Sequence, residues 1–198
     1  MKNKFTYSCS FLLFALICAG ERVSLWPEGK IPDFQSQQIA ATNKEVKSKG
    51  FNRTEHTMPH LDWFEAPKKK NGACMLLITG GGYNACVDGL WIDRRAKRFT
   101  DLGYVCVNLT YRTPRPIGLP IYQSAWQDGQ RAVRLIRRAA KDRGFDPEKI
   151  GALGFSAGSH MTVLLATSSL TPAYQPIDEL DKLPCHINMA IPVYTAYA

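Results

Sequence analysis

Apolar runs alternate with helical patterns along this chain, and this alternation limits the possible folds more than any other feature. Apolar runs predict strands at residues 74–78, 104–111, 150–155 and 187–194. Between them, apolar residues recur at helical spacing, which predicts helices at residues 91–102, 124–143 and 161–167. Strands that alternate with helices form a mostly parallel sheet with helices on both faces. The sequence therefore predicts an α/β fold.

Local signals refine the ends of these elements. In the helix at 124–143, Ser124 is a candidate cap at the start and Gly144 a candidate cap at the end. A further strand is predicted at residues 61–66. Before it, residues 21–57 are polar and irregular, so we expect an extended segment there and no regular element.

The first 20 residues have the pattern of a secretory signal peptide. Two lysines precede an apolar stretch at residues 11–17, and the small residues at 18–20 offer a cleavage site. A membrane-spanning helix needs about 20 apolar residues, and this stretch is shorter. We expect a secreted or periplasmic protein with no membrane contact beyond this segment. An uncleaved anchor, or a lipid attached at Cys18, is the alternative.

The formal net charge of the 198-residue chain is +8. Outside the first 20 residues, the basic residues concentrate on the predicted helices at 91–102 and 124–143, where they are typical of a solvated outer face. No nucleic-acid-binding motif accompanies them, so we predict no nucleic-acid partner. Weak attraction to an acidic polysaccharide stays open.

Four cysteines lie outside the first 20 residues, namely Cys74, Cys86, Cys106 and Cys185. An oxidising compartment permits disulfides, and four cysteines allow three pairings between which the sequence does not decide. Cys74 and Cys106 fall within apolar strand patterns, which is typical of buried free thiols. No pair has C-x-x-C spacing, and we predict neither a metal site nor a cofactor.

Residues 154–158 read Gly-Phe-Ser-Ala-Gly, a G-x-S-x-G motif between a predicted strand and a predicted helix. In that context the serine sits on a strained turn with its Oγ exposed, and the flanking glycines leave room for the turn. The helix points its positive end at the site, and the Ala157 N–H can hydrogen-bond a developing oxyanion. We predict Ser156 as a nucleophile. A plain glycine-rich turn is the alternative.

Residues 79–83 read Thr-Gly-Gly-Gly-Tyr and follow directly on the strand at 74–78. A phosphate-binding loop is disfavoured, because neither G-K-[ST] nor G-x-G-x-x-G spacing is present. Glycines let backbone N–H groups approach a substrate closely, so Gly81 and Gly82 are predicted to complete an oxyanion hole with Ala157. A flexible loop is the alternative.

From about residue 61 to 167 the chain resembles an α/β-hydrolase of the carbohydrate-esterase, acetylxylan-esterase-like group. The resemblance depends on the segments 26–29, 80–83, 128–134 with 146–147, and 154–158. It implies secreted hydrolysis, without a cofactor, of acetyl or similar small acyl esters on plant polysaccharides. Within the resemblance Ser156 matches the nucleophile. Ala157, Gly81 and Gly82 match the oxyanion donors, and Tyr83 beside them is expected to bind substrate. Thr79 departs from the pattern, since many relatives carry His or Pro there.

The catalytic acid and histidine of the family have no evident match here. The fold orders its triad as Ser, then Asp or Glu, then His, and only 42 residues follow Ser156. Asp181 and His186 have this order but surround a loop, and His160 lies on the helix after Ser156. We expect the acid and the histidine beyond residue 198.

On this interpretation the chain consists of a signal peptide at 1–20, an N-terminal extended segment at 21–57, and an α/β-hydrolase domain at 58–198 that lacks its C-terminal strands. We expect an acylated carbohydrate as the substrate and little turnover by these 198 residues alone. Two other functions stay open. One is a non-catalytic protein of this fold that binds acylated glycans, and the other is a serine peptidase of the prolyl-oligopeptidase kind.

Overall fold

The computed structural model describes residues 21–34, 45–48, 51–67 and 70–197. The strands, in chain order, are β1 (Glu21–Ser24), β2 (Glu45–Ser48), β3 (Phe51–Thr54), β4 (His60–Phe64), β5 (Cys74–Ile78), β6 (Cys86–Asp88), β7 (Val105–Thr110), β8 (Ile150–Phe155) and β9 (Met189–Val193). The helices are α1 (Leu90–Asp101), α2 (Gln123–Arg143) and α3 (Ala157–Thr167), with a 3₁₀ helix at Glu179–Lys182. The predicted signal peptide at 1–20 lies outside the described residues.

A six-stranded sheet in the order β1-β4-β7-β5-β8-β9 forms the centre of the fold. Strands β7, β5, β8 and β9 run parallel, whereas β4 and β1 are antiparallel at one edge. In the register of β5 and β8, Ile78 lies opposite Gly154. Because parallel neighbours end at the same edge of a sheet, the 79–83 loop and the G-x-S-x-G motif begin side by side. The predicted mostly parallel sheet is confirmed.

Helices cover both faces of this sheet, as predicted. Side chains alternate between the faces along β5, all of whose residues are buried. Leu76 and Ile78 belong to a core that residues of α2 and α3 complete. Met75 and Leu77 belong to a second core with Ala96 of α1. Burial on both faces explains why the central strands are continuous apolar runs.

The ends of the helices follow the predicted signals in part. Gly144 takes the left-handed conformation, at φ 68°, that closes α2, so its predicted role is confirmed. The predicted cap at Ser124 is wrong. Tyr122 precedes the helix without a side-chain cap, and Ser124 lies in the first turn with a buried, unpaired hydroxyl. Helix α3 begins directly after Ser156, four residues earlier than its apolar pattern indicates.

The expectation that residues 21–57 hold no regular element is wrong, because three strands lie there. Strand β1 pairs antiparallel with β4 and so forms the edge of the main sheet. Strands β2, β3 and β6 form a separate three-stranded antiparallel sheet. The segment Glu-Arg-Val-Ser of β1 is short and mostly exposed, so it lacks the apolar pattern by which strands are recognised.

A buried polar cluster ties the N-terminal segment to α2, and we call it the Arg112 cluster. It consists of Trp26, Arg112, Gln127 and Asp128. The Trp26 indole donates to Asp128 at 2.7 Å, and Arg112 Nε donates to the same carboxylate at 2.9 Å. Arg112 Nη2 donates to Gln127 at 2.8 Å. The side chains of Arg112 and Asp128 are both 0% exposed, so this ion pair is fully buried.

The four cysteines outside the first 20 residues are all free and buried. Burial raises the pKa of the Cys74 thiol well above its ordinary value, which agrees with the predicted buried free thiol. In the part of the chain that the structure describes, every helix is too short or too polar to cross a lipid bilayer.

Candidate active site

Ser156 occupies a strained turn between β8 and α3. Its backbone has φ 53° and ψ −117°, a conformation that costs a non-glycine residue about 1–3 kcal/mol. The turn is held by its backbone, because the Ser156 N–H donates to the Val193 oxygen at 3.1 Å and the Ala196 N–H donates to the Ser156 oxygen at 3.4 Å. The side chain is half-buried at the carboxyl edge of the sheet. Strain of this kind is typical of a nucleophile that must stand clear of its own strand.

The two glycines of the motif are required by packing. A Cβ on Gly154 would lie 2.2 Å from the Gly158 oxygen, and one on Gly158 would lie 2.3 Å from the Ile78 oxygen. Neither residue has a positive φ, so space is the constraint. Helix α3 therefore starts in close contact with β5 and β8, which aims its free N-terminal N–H groups at the turn.

The glycine loop after β5 packs directly on this turn. A Cβ on Gly80 would lie 3.0 Å from both the Phe155 oxygen and the Ser156 Cβ. Gly81 has φ 142°, and a Cβ there would lie 1.8 Å from the Ala85 oxygen. The Gly81 oxygen accepts from the Asn84 N–H at 3.1 Å, which closes the loop into a tight turn. The structure thus brings the two glycine motifs together at Ser156.

Within the described part of the chain, the N–H groups of the predicted oxyanion donors have no acceptor outside their own segments. Among the described residues, no acceptor is hydrogen-bonded to the N–H of Gly81 or Gly82. The Ala157 N–H lies in the first turn of α3, where no intrahelical acceptor exists. Free N–H groups from two adjoining segments can stabilise negative charge that develops on a bound acyl group.

Tyr83 links the glycine loop to α3. Its side chain is 1% exposed, and its hydroxyl donates to the Ala157 oxygen at 2.8 Å and lies 2.9 Å from His160 Nδ1. Burial raises the pKa of Tyr83, so the phenol stays protonated. The structure thus gives Tyr83 a contact that positions the loop against the helix. Its expected role in binding substrate stays a prediction.

The histidines of the chain all contact groups other than Ser156. The contacts are His56 Nε2 with Asp88 at 3.2 Å, His60 Nε2 with Asp62 at 3.5 Å, His160 Nδ1 with Tyr83 at 2.9 Å, and His186 Nε2 with Glu148 at 3.6 Å. Burial lowers the pKa of His160, which keeps its imidazole neutral. No described histidine or carboxylate is hydrogen-bonded to the Ser156 hydroxyl.

Asp181 and His186 do not form an acid and base pair. The Asp181 carboxylate accepts from Arg131 Nη1 at 3.0 Å and from the Tyr174 hydroxyl. His186 lies near the start of β8, since the Asn188 N–H donates to the Ile150 oxygen. A strand rises about 3.3 Å per residue, so the start of β8 is about 16 Å from its end at Phe155, the residue before Ser156. These two residues therefore belong to other parts of the fold.

Arg115 and Tyr197 also reach the glycine loop, and the sequence patterns do not predict this. Arg115 Nε donates to the Gly82 oxygen at 2.9 Å, and Arg115 Nη2 donates to the Tyr197 hydroxyl at 2.6 Å. The rings of Tyr197 and Tyr83 stack with centroids 5.9 Å apart. Within the described residues, no group of three or more His, Cys, Asp or Glu is placed to hold a metal ion.

Comparisons with known proteins were made on the sequence and on the fold. Residues 61–195 match the family model described as BD-FAE. An endo-1,4-beta-xylanase B from Butyrivibrio fibrisolvens is 38% identical over 93 residues, which are 47% of this chain and 14% of that protein. An acetylxylan esterase from Xylanibacter ruminicola is 26% identical over 139 residues, which are 61% of this chain and 26% of that protein.

Among solved structures, an acetyl ester-xyloside bifunctional hydrolase from Caldicellulosiruptor lactoaceticus resembles the chain with a TM-score of 0.63 at 23% identity. The match covers 89% of this chain and 57% of that structure, and at this identity it shows the fold alone. The chain thus spans about a quarter or less of these curated relatives and little more than half of the solved structure.

The similarities show the α/β-hydrolase fold and a relation to carbohydrate esterases. The geometry described above agrees with these similarities, because the sheet places the Ser156 turn and the glycine loop side by side at one edge. The family model covers more than half of the chain. The chain therefore belongs to the BD-FAE family.

Proposed function

We propose that this protein hydrolyses acetyl or similar small acyl esters on xylan or a related plant polysaccharide, with Ser156 as the nucleophile. The observation that carries the proposal is the strained Ser156 turn, at φ 53°, with the glycine loop packed against it. Strained backbone of this kind clusters at functional sites. The acetylxylan esterase relative supports acetylated xylan as the substrate.

In this mechanism Ser156 Oγ attacks the ester carbonyl carbon and forms a tetrahedral intermediate. The oxyanion accepts hydrogen bonds from the N–H of Ala157 and from the N–H of Gly81 or Gly82, with support from the α3 dipole. Collapse releases the sugar hydroxyl and leaves an acyl-enzyme, which water hydrolyses to acetate and free Ser156. One such donor contributes about 2.7–4 kcal/mol in acyl-transfer enzymes.

The mechanism needs a base for the Ser156 proton, and we assign that histidine and its carboxylate to residues beyond 198. Support comes from the four histidines of this chain, which are engaged elsewhere. Without the base, Ser Oγ is a weak nucleophile and only the residual rate from the oxyanion hole remains. We also propose secretion, or export to the periplasm, on the basis of the pattern in residues 1–20.

Release of acetate from acetylated xylan tests the proposal. It should be measured for these 198 residues, for a longer form that carries the acid and histidine, and for each with Ser156→Ala. We expect turnover by the longer form, a fall of about 10⁴-fold or more with Ser156→Ala, and little turnover by the 198 residues. Ser168→Ala, at the other end of α3, is the matched control and should keep the rate.

Two results would change the proposal in different ways. Equal rates for the longer form and its Ser156→Ala variant would remove Ser156 from the mechanism. A competent, Ser156-dependent rate from the 198 residues alone would keep the nucleophile and show that the assignment of the base is wrong.

A further inference from the structure

Arg115 places a guanidinium beside the glycine loop, and no step of the proposed hydrolysis uses it. Of its five N–H donors, one binds the Gly82 oxygen and one binds the Tyr197 hydroxyl. The Tyr197 ring centroid lies 5.6 Å from Arg115 Cζ, within the range of a cation–π contact. Three N–H donors of this half-buried side chain have no acceptor among the described residues.

Arg112 and Arg131 each have a carboxylate partner, whereas Arg115 has none among the described residues. Arg112 is paired with Asp128 at 2.9 Å, and Arg131 is paired with Asp178 at 2.6 Å. No carboxylate of the described residues lies within ion-pair distance of Arg115. A half-buried, oriented guanidinium with free donors and no counterion favours an anionic ligand that can accept two hydrogen bonds.

Two sets of contacts place Arg115 close to Ser156. Arg115 holds Gly82, and Gly80 two residues earlier packs on Ser156, with 3.0 Å between an added Cβ and the Ser156 Cβ. Arg115 also holds Tyr197, and the preceding residue donates its N–H to the Ser156 oxygen at 3.4 Å. Arg115 thus binds two segments, the glycine loop and the one around Tyr197, and each of them contacts Ser156.

We propose that Arg115 is a specificity-determining residue that binds a carboxylate on the saccharide next to the scissile ester. The inference rests on the proposed function, in which the acyl group is acetate. An acetyl ester carries no carboxylate, so the anion must belong to the sugar, as in a uronic-acid unit. The formal net charge is +8, of which Lys2 and Lys4 in the predicted signal peptide contribute two. The rest of the chain is therefore still basic and attracts such a polysaccharide over a longer range.

Calorimetric binding of two oligosaccharides tests the inference without hydrolysis. The probes are a xylo-oligosaccharide with one glucuronic-acid branch and the unbranched neutral oligosaccharide of equal length, both without acetyl groups. The wild-type protein should bind the acidic probe about tenfold more tightly at low salt, and Arg115→Gln should reduce this ratio to below twofold. Arg115→Lys keeps the charge without the planar fork and should keep part of the ratio. High salt should lower the ratio.

Arg98→Gln is the matched control, because it removes the same charge from the exposed face of α1. It should keep the tenfold ratio. If it lowers the ratio as much as Arg115→Gln does, general charge attraction explains the preference and the inference is overturned. Equal affinity of the wild-type protein for both probes, or no binding of either, overturns it as well. Circular dichroism checks that Arg115→Gln is folded. If it is not, the affinity ratio of Arg115→Lys tests the inference instead.

The outcome is separate from that of the proposed function. Ser156→Ala should abolish acetate release and keep the preference for the acidic probe. Loss of the preference with intact hydrolysis would overturn the role of Arg115 alone. A preserved preference with no Ser156-dependent hydrolysis would overturn the esterase mechanism alone. If Arg115 only positions Gly82, Arg115→Gln would lower catalysis on acidic and neutral acetylated substrates equally and leave their ratio unchanged.

Discussion

The serine turn and the Arg112 cluster are both tightly constrained, but by different physical requirements. At the serine turn the constraint is steric, since added Cβ atoms on Gly154 and Gly158 would lie 2.2–2.3 Å from backbone oxygens. In the Arg112 cluster the constraint is polar, because a fully buried ion pair needs every donor and acceptor matched. The first requirement restricts residue type locally, and the second joins segments up to 102 residues apart.

Because their constraints differ, the serine turn and the Arg112 cluster are expected to serve different purposes, the first activity and the second stability. The strained Ser156 backbone costs the fold free energy, which is consistent with a turn kept for chemistry. Among the described residues, the Arg112 cluster makes no hydrogen bond to Ser156, and it holds Trp26 and the N-terminal segment against α2. Substitutions in the cluster should therefore act on the free energy of unfolding, whereas removal of the Ser156 hydroxyl should act on catalysis.

The largest effect on stability is expected for Asp128→Ala. The change leaves the Arg112 guanidinium charged and buried without its partner, so the free energy of unfolding should fall by about 3–5 kcal/mol. Urea denaturation followed by circular dichroism measures it. Asp142→Ala removes an exposed carboxylate of the same helix and should change the value by less than about 0.5 kcal/mol. A cost below about 1 kcal/mol for Asp128→Ala would contradict a stabilising role for the cluster.

A smaller loss is expected for Gly158→Ala at the serine turn. The new methyl group would lie 2.3 Å from the Ile78 oxygen, so α3 must shift, at a cost of about 1–3 kcal/mol. Gly129→Ala in α2 is the matched control. Its methyl group would lie 2.9 Å from the Met161 sulfur and 3.6 Å from Leu165 Cδ1, which are side-chain atoms and not backbone, and helix propensity favours alanine. If thermal denaturation shows equal losses for the two variants, steric contact does not explain the motif.

The same contrast explains how much of the fold could be predicted from the sequence. The bounds of β5 and β8 follow from continuous apolar runs, since burial on both faces excludes polar residues. The strained turn at Ser156 and its position between β8 and α3 could be predicted because their constraints act on residue type within a few positions. Strand β1 could not, because a short exposed edge strand needs no apolar pattern.

Contacts between distant segments were beyond such patterns. Nothing local in the sequence indicates that Arg115 meets Tyr197, 82 positions away, or that Trp26 donates to Asp128. The expected cap at Ser124 failed for a related reason. Helix α2 begins at Gln123 and buries the serine hydroxyl, an outcome of tertiary packing.

Tyr83→Phe asks whether the serine turn also depends on polar contacts. The substitution removes the bond to the Ala157 oxygen and the contact with His160, so the free energy of unfolding should fall by about 1–2 kcal/mol. Tyr104→Phe is the control, because the Tyr104 ring packs on Phe99 and no bond is made by its hydroxyl in the described part of the chain. Chemical denaturation that gave equal values for both would show that the Tyr83 hydroxyl is not needed.

The smallest effect is a dependence of stability on pH through His160. Burial lowers the pKa of this imidazole in the folded protein, whereas the unfolded chain keeps a pKa near 6.5. The unfolded state therefore takes up the proton first, and stability falls as pH drops from about 7 through 6.5 towards the folded pKa. One proton limits the slope to about 1.4 kcal/mol per pH unit.

His160→Gln removes this titration, so the loss of unfolding free energy between pH 7.5 and 5.5 should be larger in the wild-type protein than in the variant. Equal losses would mean that His160 takes up its proton as readily in the folded protein as in the unfolded chain. The contact with Tyr83 would then not shield the imidazole from solvent. The Tyr83–His160 contact beside the serine turn would therefore be more accessible to water than the fully buried Arg112 cluster.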